Sequence, residues 1–142
     1  ANLRRHAETA QRTVAELRPE QGTNKELRLT LGDIEAFAVL GLYYAAKIEG
    51  ACELALFDVT SKTEHQKAAI THLETALGHW RSYAAAYTKQ YKQPLLYNRV
   101  GVVDLPKLAD QVAADIELAR NWKPGSVAKP PPRKTGGSRY GQ

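Results

Sequence analysis

Four carboxylates in the longest apolar segment have the residue type, and in part the spacing, of a metal site inside a helical bundle. Glu49 and Glu53 are one helical turn apart, and Asp33 and Glu35 precede them. Di-iron bundles use Glu-x-x-His on two helices, and no glutamate in this sequence has a histidine three residues after it. We therefore predict no metal here, and we expect Glu49 and Glu53 to pair with Lys or Arg of a neighbouring helix.

Three histidines and the only cysteine offer no better arrangement for catalysis. His65, His72 and His79 recur every seven residues, so consecutive rings lie roughly 10 Å apart along a helix and cannot share one metal. We expect these histidines to be solvated at the border of a buried face, and Cys52 to act as a compact apolar side chain. Glycine-rich phosphate loops, Gly-x-Ser-x-Gly and His-Glu-x-x-His are absent from the sequence. The sequence thus predicts no catalytic residue, metal or cofactor.

Aromatic residues are concentrated in one part of the chain, and Tyr and Trp suit core edges, protein interfaces and stacking on sugars alike. One interpretation is that most of these rings, with Tyr43 and Tyr44, pack between two helices. The other is a glycan-binding platform at the mouth of the bundle. Its candidate ligand-binding residues are Trp80, Arg81, Tyr83, Tyr87, Tyr91, Tyr97 and Arg99. Three or more exposed rings on one surface would favour recognition, whereas enclosed rings would favour packing.

Long helices are predicted to position these residues, because residues 20–93 contain no proline and are rich in Ala, Leu, Glu, Lys and Gln. A first helix ends at Pro19 and Gly22, and its apolar face is Leu3, Ala7, Ala10, Val14 and Leu17. Residues 27–55 form a second helix of roughly 45 Å. Its first apolar stripe is Leu27, Leu31, Ile34, Ala38, Gly41, Ala45, Ile48, Cys52 and Ala55, and its second is Phe37, Leu40, Tyr44, Ala51 and Leu54. This double stripe predicts a central, enclosed helix.

A third helix is predicted to begin at the capping-box sequence Ser61-Lys-Thr-Glu64 and to run to about Lys92. The short turn makes it antiparallel to the second helix. Equal counting from the turn places Gly41 level with Trp80. Its buried face is Ala69, Leu73, Ala76, Trp80, Tyr83 or Ala84, Tyr87 and Tyr91.

A fourth helix is predicted after an apolar, non-helical connection over residues 93–104. Asp104 can cap this helix, with Pro106 in its first turn. Its inward face is Leu105, Leu108, Val112, Ile116 and Ala119. The predicted fold class is therefore all-α, an antiparallel bundle of about four helices with two long central helices.

Length and charge divide the chain in two. Its 142 residues, 43% of them apolar, fit one bundle domain over residues 1–121 and a tail over 122–142. The tail holds five of the 20 basic residues, no acidic residue and four of the seven prolines, as a linker or docking peptide would. Trp122 or Tyr140 could anchor it. The remainder carries 15 residues of each sign, which gives nucleic-acid binding little support outside the tail.

The chain is also expected to be water-soluble and to be part of a longer protein. No apolar run approaches the ~20 residues of a membrane span, so we predict no membrane partner. The absence of any methionine leads us to expect a processed or excised piece of a longer product.

Three motifs carry a resemblance: Leu54–Asp58, Ala76–Tyr83 with its Trp-x-x-Tyr, and Tyr97–Asp104 with its Arg-x-Gly-x-x-Asp. Together they resemble the helical region near the C-terminus of secreted or periplasmic bacterial carbohydrate-active enzymes, chiefly glycoside hydrolases, over about residues 25–120. The resemblance implies an exported accessory module without catalytic residues. It implies two partners, a polysaccharide or oligosaccharide and the catalytic domain of the same protein. Any shared binding site would use Trp80, Tyr83, Tyr97 and Arg99.

Two functions therefore follow from the sequence. The first is a non-catalytic module that binds a glycan through aromatic side chains or packs on a catalytic domain. The alternative is a protein-interaction bundle whose helix face or proline-rich tail docks a partner chain. Nucleic-acid binding through the tail alone would show a steep salt dependence.

Overall fold

The structure is a computed structural model that describes residues 2–97 and 101–127, with the side chain of Tyr97 excepted. Its elements are α1 (Asn2–Leu17), a 3-10 turn (Arg18–Gln21), α2 (Lys25–Thr60), α3 (Thr63–Thr88), β1 (Leu95–Tyr97), β2 (Gly101–Val103) and α4 (Leu108–Arg120). The predicted fold class is confirmed. The long helices α2 and α3 pack against each other, α1 packs on α2, and α4 packs on α3.

Small residues allow α2 and α3 to approach closely. Ala46 of α2 and Ala69 and Ala76 of α3 are almost completely buried. A Cβ atom on Gly50 would lie 2.9 Å from Leu73 Cγ and 3.3 Å from the Ala69 carbonyl oxygen. Because nothing larger than hydrogen fits at Gly50, this residue sets the spacing of the two helices.

The predicted register of Gly41 with Trp80 is wrong. A Cβ atom on Gly41 would lie 3.1 Å from Ala7 Cβ, so this glycine faces α1. The residue of α2 that meets Trp80 is Tyr43, with ring centroids 5.1 Å apart. Since α2 is apolar on several faces, its hydrophobic pattern alone does not determine which face meets which helix.

The predicted capping box between α2 and α3 is also wrong. Ser61 adopts a left-handed conformation with φ of 59° and ends α2, its N–H bonded to the carbonyl of Phe57. Helix α3 then begins at Thr63, and Lys62 precedes it without a side-chain cap. Because only two residues separate the helices, Ser61 closes the first helix and is not free to cap the second.

The predicted burial of both α2 stripes holds for only some of their members. Leu31, Ala38 and Ala45 are buried, and Ala7 and Val14 are the buried residues of α1. Most other members of the two stripes are exposed. These exposed members are Ile34, Phe37, Tyr44, Ile48, Ala51, Cys52 and Ala55.

A short antiparallel hairpin forms part of the connection between α3 and α4, which is non-helical over residues 93–97 and 101–104, as predicted. Helix α3 ends at Thr88 instead of Lys92, and Leu95 pairs with Val103 in the hairpin. The Asp104 carboxylate accepts a hydrogen bond of 3.2 Å from the backbone N–H of Lys107, in the turn before α4. The predicted inward face of α4 is confirmed, with Val112, Ile116 and Ala119 buried.

Candidate functional site

An exposed apolar surface runs along most of α2. We call it the apolar stripe and define it as Ile34, Phe37, Tyr44, Ile48, Ala51, Cys52, Ala55 and Val59. At 3.6 residues per turn, its members fall within about one third of the helix circumference, on one face that extends over roughly 37 Å. Phe37 is 63% exposed and Ile48 is 55% exposed. Among the described residues, no helix covers this face.

All five charged residues of α2 between Ile34 and Val59 form hydrogen bonds or ion pairs with other elements. Arg4 bonds Glu49 at 2.6 Å, His65 bonds Glu53 at 2.7 Å, and Lys47 bonds Asp115 at 2.7 Å. Glu35 pairs with Arg18, and Asp58 accepts from Trp122. The apolar stripe therefore contains no charged residue, whereas the exposed face of a surface helix is normally polar.

Two of the predicted platform residues belong to the core. Trp80 and Tyr83 are buried, and the indole Nε1 of Trp80 donates a hydrogen bond of 3.0 Å to the Leu105 carbonyl. Their rings form a T-shaped pair with centroids 5.5 Å apart. Tyr43 continues the stack on the α2 side. The burial of these rings favours the packing interpretation for them over an open platform.

Two further predicted site residues, Tyr87 and Tyr91, continue the series of ring contacts along α3, with the Tyr87 centroid 5.7 Å from that of Tyr83. Tyr87 is half-buried against Tyr91, with ring centroids 4.4 Å apart, and Tyr91 donates a hydrogen bond of 2.9 Å to Asp33. This hydrogen bond raises the pKa of Tyr91. Arg81 is exposed on α3. The side chain of Tyr97 and all of Arg99 lie outside the described residues.

A cavity of about 390 Å³ between α2 and α4, called here the α2–α4 groove, combines aromatic and polar groups. Exposed Tyr44 lies at 4.9 Å from the ring of Tyr43. Opposite them, α4 contributes Gln111 and Asp115. Lys47 bonds Asp115, and that hydrogen bond raises the pKa of Lys47. An aromatic ring beside an amide and an ion pair is an arrangement that suits a sugar.

The predicted pairing of the two central glutamates is confirmed for Glu49 and differs for Glu53. The hydrogen bond from Arg4 of α1 holds the pKa of Glu49 below its usual range. Glu53 instead meets His65, so this histidine bonds a carboxylate of α2 and is not simply solvated as predicted. Burial lowers the pKa of His79, with a further contribution from Arg4. Within residues 2–97 and 101–127, no three His, Cys, Asp or Glu side chains are placed to hold a metal.

The start of the predicted tail is fixed to the bundle through Asp58. Its buried carboxylate accepts a hydrogen bond of 2.8 Å from Trp122 Nε1 and one of 2.9 Å from the Ser126 N–H. The hydrogen bond from Trp122 contributes most to a lowered pKa of Asp58. Trp122 thus provides the anchor considered from the sequence, whereas Tyr140 lies outside the described residues.

By length and composition, α2 also meets the criteria for a membrane-spanning helix. Its most apolar 18-residue window has a mean hydropathy of 1.3, and 44% of that window is buried by the rest of the chain. Core helices of water-soluble proteins have the same properties.

Comparison with known proteins gives no relative. No family model matches the chain, and neither the curated proteins nor the solved structures contain a significant match. The site must therefore be interpreted from its own chemistry.

Sequence reasoning identified most members of the apolar stripe and assigned them to the core. The available signal was the number of apolar faces on α2, which exceeds what its packed neighbours α1 and α3 cover. The α2–α4 groove gave no comparable signal, because Gln111 and Asp115 meet Tyr44 only once α4 has packed on the bundle.

Proposed function

We propose that this chain is a non-catalytic helical module of an exported carbohydrate-active enzyme and packs through the apolar stripe on the catalytic domain of that enzyme. The observation that carries the proposal is the uncharged, exposed face of α2. Burying that face against another folded surface would remove Phe37, Tyr44 and Ile48 from water, at about 25 cal/mol per Å² of apolar area. The motifs of residues 54–58, 76–83 and 97–104 provide the link to such enzymes.

A folded protein domain suits this surface better than the other partners considered. A nucleic acid or an acidic peptide would meet no basic side chain on the apolar stripe, since Lys47 is paired with Asp115 beside it. A single short helix would cover part of the face, whereas a rod of roughly 37 Å matches the dimensions of a domain surface. A second copy of the chain and a lipid bilayer are outcomes that the experiment must separate.

The experiment compares binding of stripe variants to the catalytic domain of the parent protein, each produced separately and mixed in an ultracentrifuge cell. Phe37→Ser with Ile48→Ser should abolish the complex, because these two large side chains are 63% and 55% exposed on the apolar stripe. The control is Leu96→Ser with Leu118→Ser, which removes two exposed apolar side chains outside the stripe and should leave the complex intact.

The other outcomes contradict the proposal. Equal weakening by both pairs of substitutions would show that the apolar stripe is not the interface. Concentration-dependent dimers of the wild-type chain that are lost in Phe37→Ser with Ile48→Ser would identify a second copy as the partner. Flotation of the wild-type chain with neutral phosphatidylcholine vesicles would identify a membrane.

Glycan binding in the α2–α4 groove is a second candidate function, favoured by exposed Tyr44 beside Gln111 and Asp115. The carbon–hydrogen face of a pyranose would stack on Tyr44, and the amide and carboxylate would bond its hydroxyls. The test is affinity electrophoresis against a panel of neutral and acidic polysaccharides. Gln111→Ala should remove retardation. Gln66→Ala should not, because Gln66 lies on α3 and its amide donates to the Ala119 carbonyl at the C-terminal end of α4. No retardation of the wild type by any polysaccharide would exclude this function.

Docking through the proline-rich tail is distinguished by truncation after Val127. This truncation keeps Trp122 and Ser126, and therefore the contacts with Asp58, while it removes residues 128–142. Binding through the apolar stripe should survive it. Loss of the complex on truncation would favour the tail as the docking element.

A further inference from the structure

A second cavity lies at the end of the bundle away from the turn between α2 and α3. Its volume is about 430 Å³, within the range of sites for small ligands. The 3-10 turn after α1, the first turns of α2 and the end of α3 form its walls. We call it the basic cavity, and its charged lining residues are Arg18, Arg28, Glu35 and Lys89.

The charges of the basic cavity do not balance. Three of the four are cationic, and the single carboxylate, Glu35, is bonded to Arg18. Arg28 and Lys89 take part in none of the ion pairs or side-chain hydrogen bonds found within residues 2–97 and 101–127. The bundle domain as a whole has 15 residues of each sign, so this local excess is not a consequence of overall charge.

The carboxylate of Asp33, which follows the lining residue Gly32 in the chain, is held by other donors. Asp33 Oδ1 accepts a hydrogen bond of 2.8 Å from Gln90 Nε2 and one of 2.9 Å from the Tyr91 hydroxyl. Gln90 lies across Gly32, where a Cβ atom would approach its side-chain nitrogen to 2.7 Å. Gly32 therefore leaves room for the Gln90 side chain, which forms part of the cavity wall and bonds Asp33. Asp33 itself does not line the cavity.

We propose that the basic cavity binds the oxyanion of a small organic ligand, a carboxylate, sulfate or phosphate on a sugar-sized body, between Arg28 and Lys89. A guanidinium group can donate two parallel hydrogen bonds to such an anion, and an ammonium group adds a compact charge. Leu29 and Ala86 supply an apolar wall for the body of the ligand. This site is separate from the apolar stripe, so this proposal does not depend on the proposed function.

The test is a titration followed by amide chemical shifts in the complete 142-residue chain. The probes are glucuronate, glucose 6-sulfate and glucose 6-phosphate, with glucose as the uncharged control, at constant ionic strength. We expect saturable shifts at Gly32, Ala86 and Gln90 with at least one charged probe and none with glucose. The probe that saturates at the lowest concentration identifies the oxyanion.

Two charge-matched double variants make the assignment specific. Arg28→Gln with Lys89→Gln should weaken binding at least tenfold, because both groups that contact the anion are lost. Lys67→Gln with Arg5→Gln removes the same charge from exposed positions of α3 and α1 outside the cavity and should leave the affinity within twofold. Non-saturable shifts, equal shifts with glucose, or equal weakening in both double variants would overturn the proposal.

Discussion

Trp80 is joined to Leu105 by a hydrogen bond of 3.0 Å from the indole Nε1 to the backbone carbonyl oxygen. This contact links the middle of α3 to the turn that precedes α4, two elements 25 residues apart in the chain. Tyr43 packs edge-on against the other side of the indole. Trp80, the largest ring of the predicted glycan platform, therefore links α3 to α2 and to the turn before α4.

Trp80→Phe is expected to destabilise the chain by about 1–3 kcal/mol, since the smaller ring leaves a void and the Leu105 carbonyl loses its donor. Urea denaturation followed by circular dichroism measures the change. Tyr44→Phe, at an exposed ring of the same aromatic stack, should stay within about 0.5 kcal/mol of the wild type. Comparable effects of the two substitutions would show that Trp80 has no special structural role.

Substitution of Gly50 and of Gly78 by alanine should change the stability of the chain in opposite directions. Gly50→Ala should destabilise the chain, because a Cβ atom at 2.9 Å from Leu73 overpacks the seam by about 1–3 kcal/mol. Gly78→Ala has nothing within 4 Å of the new atom and should stabilise α3 by about 1 kcal/mol. Thermal unfolding of both variants checks the pair. Stabilisation by Gly50→Ala would contradict the close approach of α2 and α3.

The lowered pKa of Asp58 predicts a loss of stability in acid. Because the folded state favours the carboxylate, its contribution is complete above the usual aspartate pKa of about 3.9 and disappears as the pH falls through the lower folded value. Unfolding midpoints in urea between pH 7 and pH 2 should therefore show a smaller pH dependence in Asp58→Asn than in the wild type. Trp122→Phe should reduce it in part. An unchanged pH profile in Asp58→Asn would refute this role.

Exposure of the apolar stripe predicts that its residues contribute little to the stability of the isolated chain. Phe37→Ser should change the free energy of unfolding by less than about 1 kcal/mol, since Phe and Ser have similar helix propensities. Val39→Ala, two residues away and buried in the core, should cost about 2 kcal/mol. Denaturant titrations of the two variants measure the difference. A larger effect at Phe37 than at Val39 would mean that the stripe is covered within the chain.

The sequence predicts the helices well where each has a single apolar face and a helix-breaking residue near its end. Leu17 ends α1 two residues before Pro19, and the inward face of α4 follows from Val112, Ile116 and Ala119. The apolar pattern of α2 was correctly detected, but periodicity reports how apolar a face is and does not report what covers it. The same ambiguity produced the wrong register for Gly41.

The remaining differences between the prediction and the structure lie in short connections and in contacts between distant parts of the chain. Ser61 was expected to cap α3, yet the two-residue turn requires it to end α2 in a left-handed conformation. The hairpin of Leu95–Tyr97 and Gly101–Val103 has three residues in each strand, too few for an alternating pattern to be recognised. The α2–α4 groove and the basic cavity depend on residues far apart in the chain, so tertiary packing alone reveals them.

Cys52 provides a direct probe of the central claim, because it is the only cysteine of the chain and lies exposed on the apolar stripe. The measurement is the rate of its reaction with Ellman's reagent in the isolated chain and in the complete parent protein. The control is Cys52→Ser with Ser82→Cys, which moves the thiol to an exposed position of α3 away from the stripe.

Docking of α2 on the catalytic domain predicts that Cys52 reacts about tenfold or more slowly in the parent protein than in the isolated chain, since reaction then requires opening of the interface. The thiol at position 82 should react equally fast in both. Equal rates for Cys52 in the two proteins would show that the apolar stripe stays open to solvent and would contradict the account.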